Sequence, residues 1–318
     1  MKRLGAAGLV LGSAGAIAKL RCDRGGLELV RGSDQPTTRD FRIPVGADLP
    51  RLSVAKGDVA TGDTEPAALV RRAVDALGGM KRFISRGDRV VIKPNIGWDR
   101  TPLHAANTNP FVVAEVVRQA YEAGAKNVIV TDASCNEPSR CFTRSGIWTA
   151  AYEAGAEVVL PAEHRFRTMR IRGEVLGDWL VYTALVEADK VINLPVAKHH
   201  NLAKYTAAMK NWYGALGGRR NRLHQNIDVS IADLATFMQP TLTIVDGMRV
   251  LMRNGPQGGN IADAKDMFTI IASTDQVAAD AYGCQLIGLS AEDIPYIKMG
   301  HERGLGTMDW RSLNPVMV

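Results

Sequence analysis

The sequence predicts an α/β fold: a largely parallel sheet with helices on both faces and a ligand site at the carboxyl ends of the strands. Three observations lead there. Short, nearly continuous apolar runs recur along the chain, segments with helical apolar spacing separate several of them, and polar residues collect just after the runs. Strands that are apolar on both sides must be covered on both faces, as in parallel sheets built from strand–helix–strand units.

In chain order, residues 1–18 read as an export signal. Met1-Lys2-Arg3 is basic, residues 4–18 are apolar and rich in Gly and Ala, and the run closes on Ala16-Ile17-Ala18, a pattern suited to a signal peptidase. The run is too short to span a bilayer, so no stable membrane insertion is expected. Its weak hydrophobicity is twin-arginine-like, although no paired arginine precedes it. The expected location is outside the cytoplasm, in the periplasm or beyond, with a cytoplasmic protein as the alternative. Residues 19–63 are polar and rich in Gly, Pro and Thr, a linker or irregular segment leading into an early strand at 51–54. The α/β domain is expected to run from 64 to 318.

Within it, residues 65–77 place Ala68, Val70, Ala73, Val74 and Leu77 at helical spacing and stop at Gly78-Gly79. Residues 110–123 form a second helix, with Pro110 in its first turn and Gly124 after its end. Further helices are expected at 147–154 and 277–286. Strands are expected at 90–92, 128–130, 158–160, 191–194, 242–245 and 268–271. Residues 202–215 are expected to be helical, with Thr206, Lys210 and Tyr213 on one face.

Composition bounds the partners. Of 318 residues, 46% are hydrophobic and 23% charged, which gives a globular chain rather than a disordered one. The net charge of +6 is spread along the chain and no nucleic-acid motif accompanies it, so a small anionic molecule is the expected partner and nucleic acid is not. The four cysteines, Cys22, Cys135, Cys141 and Cys284, have no C-x-x-C spacing, so no iron–sulfur cluster is expected in this chain. Cys135 and Cys141 are either a loop disulfide or two free thiols.

Ligands of open α/β sheets bind beyond the carboxyl ends of the strands. There the sequence places Lys93 and Asn95, then Asp132, then Lys198-His199-His200, then Asp246. No acidic residue lies between Lys190 and Asp228, a long unpaired basic interval that also holds Lys210, Asn211 and His224. Its physical use is to hold a carboxylate, a phosphate or a metal-bound anion. Lys93, Asn95, Lys210 and Asn211 are the candidate substrate-binding groups. Lys198, His199 and His224 are the candidate catalytic groups, the imidazoles being suited to proton transfer near neutral pH. Asp132 and Asp246 are candidate ligands of a divalent metal. Adjacent histidines diverge, so at most one of His199 and His200 faces the site. The glycine-rich stretch from Asn254 to Gly259 matches no phosphate-binding loop and reads as a tight turn or a lid. Asp275 suits the N-cap of the last predicted helix, and Asp280 inside that helix needs a partner.

Several of these segments occur in a recognisable order: Val91-Ile92-Lys93-Pro94-Asn95, Thr108-Asn109-Pro110, Lys198-His199-His200, Met209 to Gly214, Asp246-Gly247, Asn254-Gly255-Pro256, Asp275 and Asp280. Over roughly residues 89–288 the chain resembles the bacterial and archaeal family known as domain of unknown function 362. The resemblance implies a protein of unsettled reaction whose relatives include exported and iron–sulfur-carrying members. An enzyme acting on a small anionic substrate is the reading the residues favour. A non-catalytic anion- or cofactor-binding protein, or an accessory protein in iron–sulfur or redox-cofactor maturation, is the alternative.

Overall fold

The computed structural model describes residues 39–44, 46 and 49–318. The expected export signal and most of the expected linker lie outside the described residues. No helix among those described is long and apolar enough to cross a membrane.

The first strands are β1 (Arg39–Asp40), β2 (Leu52–Lys56), β3 (Arg89–Pro94), β4 (Asn127–Val130) and β5 (Glu157–Val158). A separate hairpin, β6 (Phe166–Arg170) and β7 (Asp178–Tyr182), precedes β8 (Lys190–Leu194), β9 (Val196–His200) and β10 (Lys204–Thr206). The remaining strands are β11 (Met238–Gln239), β12 (Leu242–Leu251), β13 (Ala264–Ser273) and β14 (Val316–Met317). The main sheet has the order β14-β2-β13-β12-β8-β3-β4-β5. From β12 to β5 every neighbouring pair is parallel. β13 runs antiparallel to both β12 and β2. The sheet is thus largely parallel, as expected, with antiparallel pairing toward one side. The early strand expected at 51–54 is present as Leu52–Lys56, paired with β13 and β14.

Alternate residues of each strand feed two separate cores, which is why the runs are apolar without interruption. Val90 and Ile92 of β3, and Val128 and Val130 of β4, pack on one face beneath the helices Pro66–Asp75, Pro110–Glu122 and Ile147–Glu153. Val91, Ile129 and Val191 pack on the other, beneath Ile227–Phe237, Gln276–Gly283 and Pro295–Glu302. A fully buried Val or Ile contributes about 1.5–3 kcal/mol of transfer free energy, so slipping a strand by one residue would exchange its two faces and disrupt both cores.

The helix starts follow local chemistry. Asn109 caps Pro110–Glu122 by accepting from the Phe111 N–H at 2.9 Å, and Pro110 occupies a position where no N–H is needed. Asp275 caps Gln276–Gly283 through the N–H groups of Val277 and Ala278. Asp280, buried inside that helix, accepts from the Ala208 N–H at 2.6 Å and the Met209 N–H at 2.9 Å. Burial pushes its carboxyl up to about 7.

Residues 202–215 are not the continuous helix their spacing predicts. Lys204–Thr206 pairs antiparallel with β9, and only Lys210–Ala215 is helical, as a tight 3-10 segment. The tertiary partner overrides the local preference: Asp280 and the side-chain amide of Asn193 claim the backbone at Ala208 and Met209. The run at 158–160 is likewise shorter as a strand, ending at Val158.

Candidate functional site

A cavity of about 130 Å³ opens beyond the carboxyl ends of β3, β4 and β8. The chain just after β3 supplies Asn95, the chain after β4 supplies Asp132 and Cys135, and the long excursion after β8 supplies Lys198, His200, Lys210 and His224.

The floor is a closed ion pair. Lys93 Nζ, fully buried, donates to Asp132 Oδ1 at 2.7 Å, and Asp132 Oδ2 accepts from the Ile96 N–H at 2.7 Å. Desolvation lowers the Lys93 pKa, against the pull of Asp132. Gly214 lies directly over the pair, and a Cβ there would collide with Asp132 Oδ1 and Lys93 Nζ. Only glycine lets the backbone cover the two charges. Lys93, expected to bind substrate, therefore sits beneath the cavity and ties the ends of β3 and β4 together.

Above the floor runs a ladder of amides. Lys198 Nζ donates to Asn95 Oδ1 at 3.0 Å and to the Ala106 carbonyl. Asn95 Nδ2 donates to Asn211 Oδ1 at 3.2 Å, and Asn211 Nδ2 donates to Asn193 Oδ1 at 2.8 Å and the Lys93 carbonyl at 3.1 Å. Each amide is fixed by the next, so Asn95 and Asn211 line the cavity with set orientations. Among the described residues Lys198 has only neutral acceptors, and burial pulls its amine down to about 7.

Lys210 differs from both other lysines. It is 8% exposed, and no hydrogen-bond acceptor or carboxylate among the described residues meets its ammonium. Its Nζ lies 4.3 Å from the centroid of the Tyr213 ring, a cation–π contact. Burial pulls it down to about 8, still cationic at neutral pH. Beside it, Arg220 donates to the carbonyls of Ala133 at 2.7 Å, Tyr213 at 3.0 Å and Ser134 at 2.5 Å, and to Cys135 Sγ at 3.5 Å. Among the described residues these partners are neutral and no carboxylate meets its charge.

The histidines sort by strand parity. In β9, Lys198 and His200 face one way and His199 the other. His200, rather than the expected His199, lines the cavity. His200 Nδ1 accepts from the N–H groups of Leu202 at 3.1 Å and Ala203 at 3.2 Å, so its proton resides on Nε2. Burial, with help from Lys210 and Lys198, pushes it down to about 2, which leaves a neutral N–H donor that does not titrate near pH 7. His199 accepts from the Gly255 N–H at 3.1 Å and anchors the loop that brings Pro256 to the rim. His224 also lines the cavity, with its ring 6.2 Å from that of His200. Its Nδ1 lies 3.1 Å from the Asn221 carbonyl and must carry the proton, leaving Nε2 as an acceptor. Burial, then the charge of Lys210, lowers its pKa.

The two candidate metal ligands are engaged elsewhere. Asp132 is spent on Lys93 and Ile96, and Asp246 accepts from the N–H groups of Asn109 at 2.7 Å and Met248 at 2.9 Å, away from the cavity lining. No cluster of three or more His, Cys, Asp or Glu suited to a metal occurs among the described residues. Cys135 and Cys141 are free thiols, Cys135 exposed and Cys141 buried. Arg220 and Cys135 are site residues that sequence reasoning did not single out. The position of Cys135 beyond the β4 strand end was the available signal for the thiol.

The family model described as "Domain of unknown function (DUF362)" matches residues 90–285. Over 246 residues the chain is 26% identical to a thylakoid-associated protein of Synechocystis sp., and the match covers 75% of each. Among solved structures it is similar to the lactate racemase apoprotein from Thermoanaerobacterium thermosaccharolyticum, with 12% identity and a TM-score of 0.41 over 76% of this chain and 58% of that one. A protein from Thermotoga maritima gives 11% identity and a TM-score of 0.41, over 70% of this chain and 59% of that one. The chain thus spans less than two thirds of either solved structure's length.

Proposed function

The chain belongs to the DUF362 family, and from that premise we propose that its cavity binds a small organic anion and carries out proton transfer on it. The observation that carries the reading is Lys210: a cation 8% exposed, without a counter-ion among the described residues, lining a cavity it shares with Lys198 and Arg220. A buried charge left unpaired is costly, and an anion entering the cavity offsets that cost. In this reading Lys210 and Arg220 hold the anionic group. The N–H of His200 donates to it, and Asn95 and Asn211 set the shape of the cavity. His224, neutral at pH 7 with a free acceptor nitrogen, takes up the proton. Asp132 and Asp246 do not fit a resident metal, because their oxygens already accept from Lys93 and backbone N–H groups.

The test has two stages. Thermal melts of the protein with phosphate, sulfate and a panel of small carboxylates select the anions that stabilise it at low millimolar concentration. The selected anions are then followed by NMR for turnover, in wild type and His224→Asn. The variant is expected to keep the anion-induced rise in melting point and lose turnover. Binding without turnover in the wild type would leave an anion-binding protein instead of an enzyme. No anion raising the melting point would refute the reading altogether.

A further inference from the structure

We propose that Cys135 is a reactive thiol of this cavity, placed to form a carbon–sulfur bond with an anion that carries an electrophilic carbon. The proposal rests on the anion-binding reading and adds to it a nucleophile and a substrate class.

Two independent observations meet at the thiol. Cys135 is exposed, free and part of the cavity lining, in the loop beyond β4. That loop is pinned: the Cys135 N–H donates to the Gly97 carbonyl at 2.9 Å, the Asn136 N–H donates to the same oxygen at 3.1 Å, and Arg220 grips the carbonyls of Ala133 and Ser134. Arg220 also donates to the sulfur at 3.5 Å. The sulfur lies within electrostatic range of Lys93, Lys198 and Lys210. Separately, Lys210, 8% exposed and without an acceptor for its ammonium among the described residues, lines the same cavity, which is a place for a ligand's negative group. An anion held there shares the cavity with the sulfur of Cys135. The other described thiols, Cys141 and Cys284, are buried, and burial pushes them up to about 11 and about 12.

The chemical class that fits is an α,β-unsaturated carboxylate. The thiol gives its proton to water, and the sulfur electron pair forms the C–S bond at the β-carbon. The π pair moves onto the α-carbon, which takes a proton from water. The sum is one thiol added across one double bond, with no oxidant or reductant needed.

The test compares an anionic with a neutral alkylating agent on the full-length wild-type protein at pH 7. With iodoacetate or iodoacetamide the sulfur displaces iodide in the same way, and only the reagent's charge differs. Peptide mapping by mass spectrometry assigns the label to each cysteine. Cys135 is expected to react faster with iodoacetate, by about tenfold or more given the concentrating effect of a cationic cleft. Lys210→Gln is expected to abolish that preference, and Cys141 and Cys284 to stay unlabelled until the protein is denatured. Equal or slower labelling by iodoacetate, or a preference that survives Lys210→Gln, would overturn the proposal. Anion melts of Cys135→Ser then separate the two readings. If its melting point still rises with anions, the anion site stands without the thiol chemistry; if anions stabilise neither protein, both readings fall.

Discussion

Lys93 and Lys210 lie at the same cavity, both almost completely removed from water, and their surroundings could hardly differ more. Lys93 meets Asp132 at 2.7 Å under a glycine that leaves no room for anything else. Lys210 meets the face of Tyr213 and an open volume. The comparison teaches that burial of a charge does not mark a functional site. A buried charge with its partner is architecture, here joining two strand ends, whereas a buried charge without one is an invitation to a ligand.

Substitutions should separate the two lysines sharply. The largest effect is expected for Lys93→Ala, which strands the buried Asp132 carboxylate and should cost on the order of 3–5 kcal/mol in chemical denaturation. A loss below about 1 kcal/mol would show that the floor pair is not structural and would dissolve the contrast.

The next effect is on pH dependence. Lys210 is a cation below its pKa of about 8 and neutral above it, and an anion prefers the cation. Anion affinity, measured by calorimetric titration, is therefore expected to hold steady below pH 8 as far as Lys210 is concerned. Above it, affinity should fall by up to about tenfold, or about 1.4 kcal/mol, per pH unit. Lys198, near 7, adds a weaker decline that begins earlier. Affinity that rises with pH would contradict the assignment.

The smallest effect is on the fold itself when Lys210 is removed. Lys210→Ala gives up a cation–π contact and relieves an unpaired buried charge, so stability should stay within about 1 kcal/mol of wild type or rise slightly. Destabilisation of 3 kcal/mol or more would place Lys210 with Lys93 among the structural ions.

Much of this was legible in the sequence, for identifiable reasons. The strands of the parallel region are buried on both faces, so Val90-Val91-Ile92 and Val128-Ile129-Val130 announce themselves as unbroken apolar runs. Asp275 and Pro110 signal helix starts because capping and the fixed turn of proline are local effects. Asp280 could be seen to need a partner, but not which one. Its partner is the backbone at Ala208 and Met209, some seventy residues earlier, and that contact is what defeats the helical reading of 202–215. The exchange of His199 for His200 has the same origin: the choice depends on strand parity, and parity was unknown while the segment could still be a strand or a helix. Arg220 was visible as a basic residue, but its grip on the loop that carries Cys135 exists only in three dimensions. Lys93 and Lys210 look equivalent in the sequence because the glycine that seals one of them, Gly214, is remote from Lys93 along the chain.

We propose that the ammonium of Lys210, unpaired among the described residues, makes this cavity an anion site. Its most direct test is crystallography at the selenium edge, with selenate as the anion, on wild type and Lys210→Ala. An anomalous peak is expected within hydrogen-bond distance of Lys210 Nζ and on the side of Arg220 in the wild type, with no peak there in the variant. A wild-type cavity without the peak, or a peak that persists unchanged in Lys210→Ala, would contradict it.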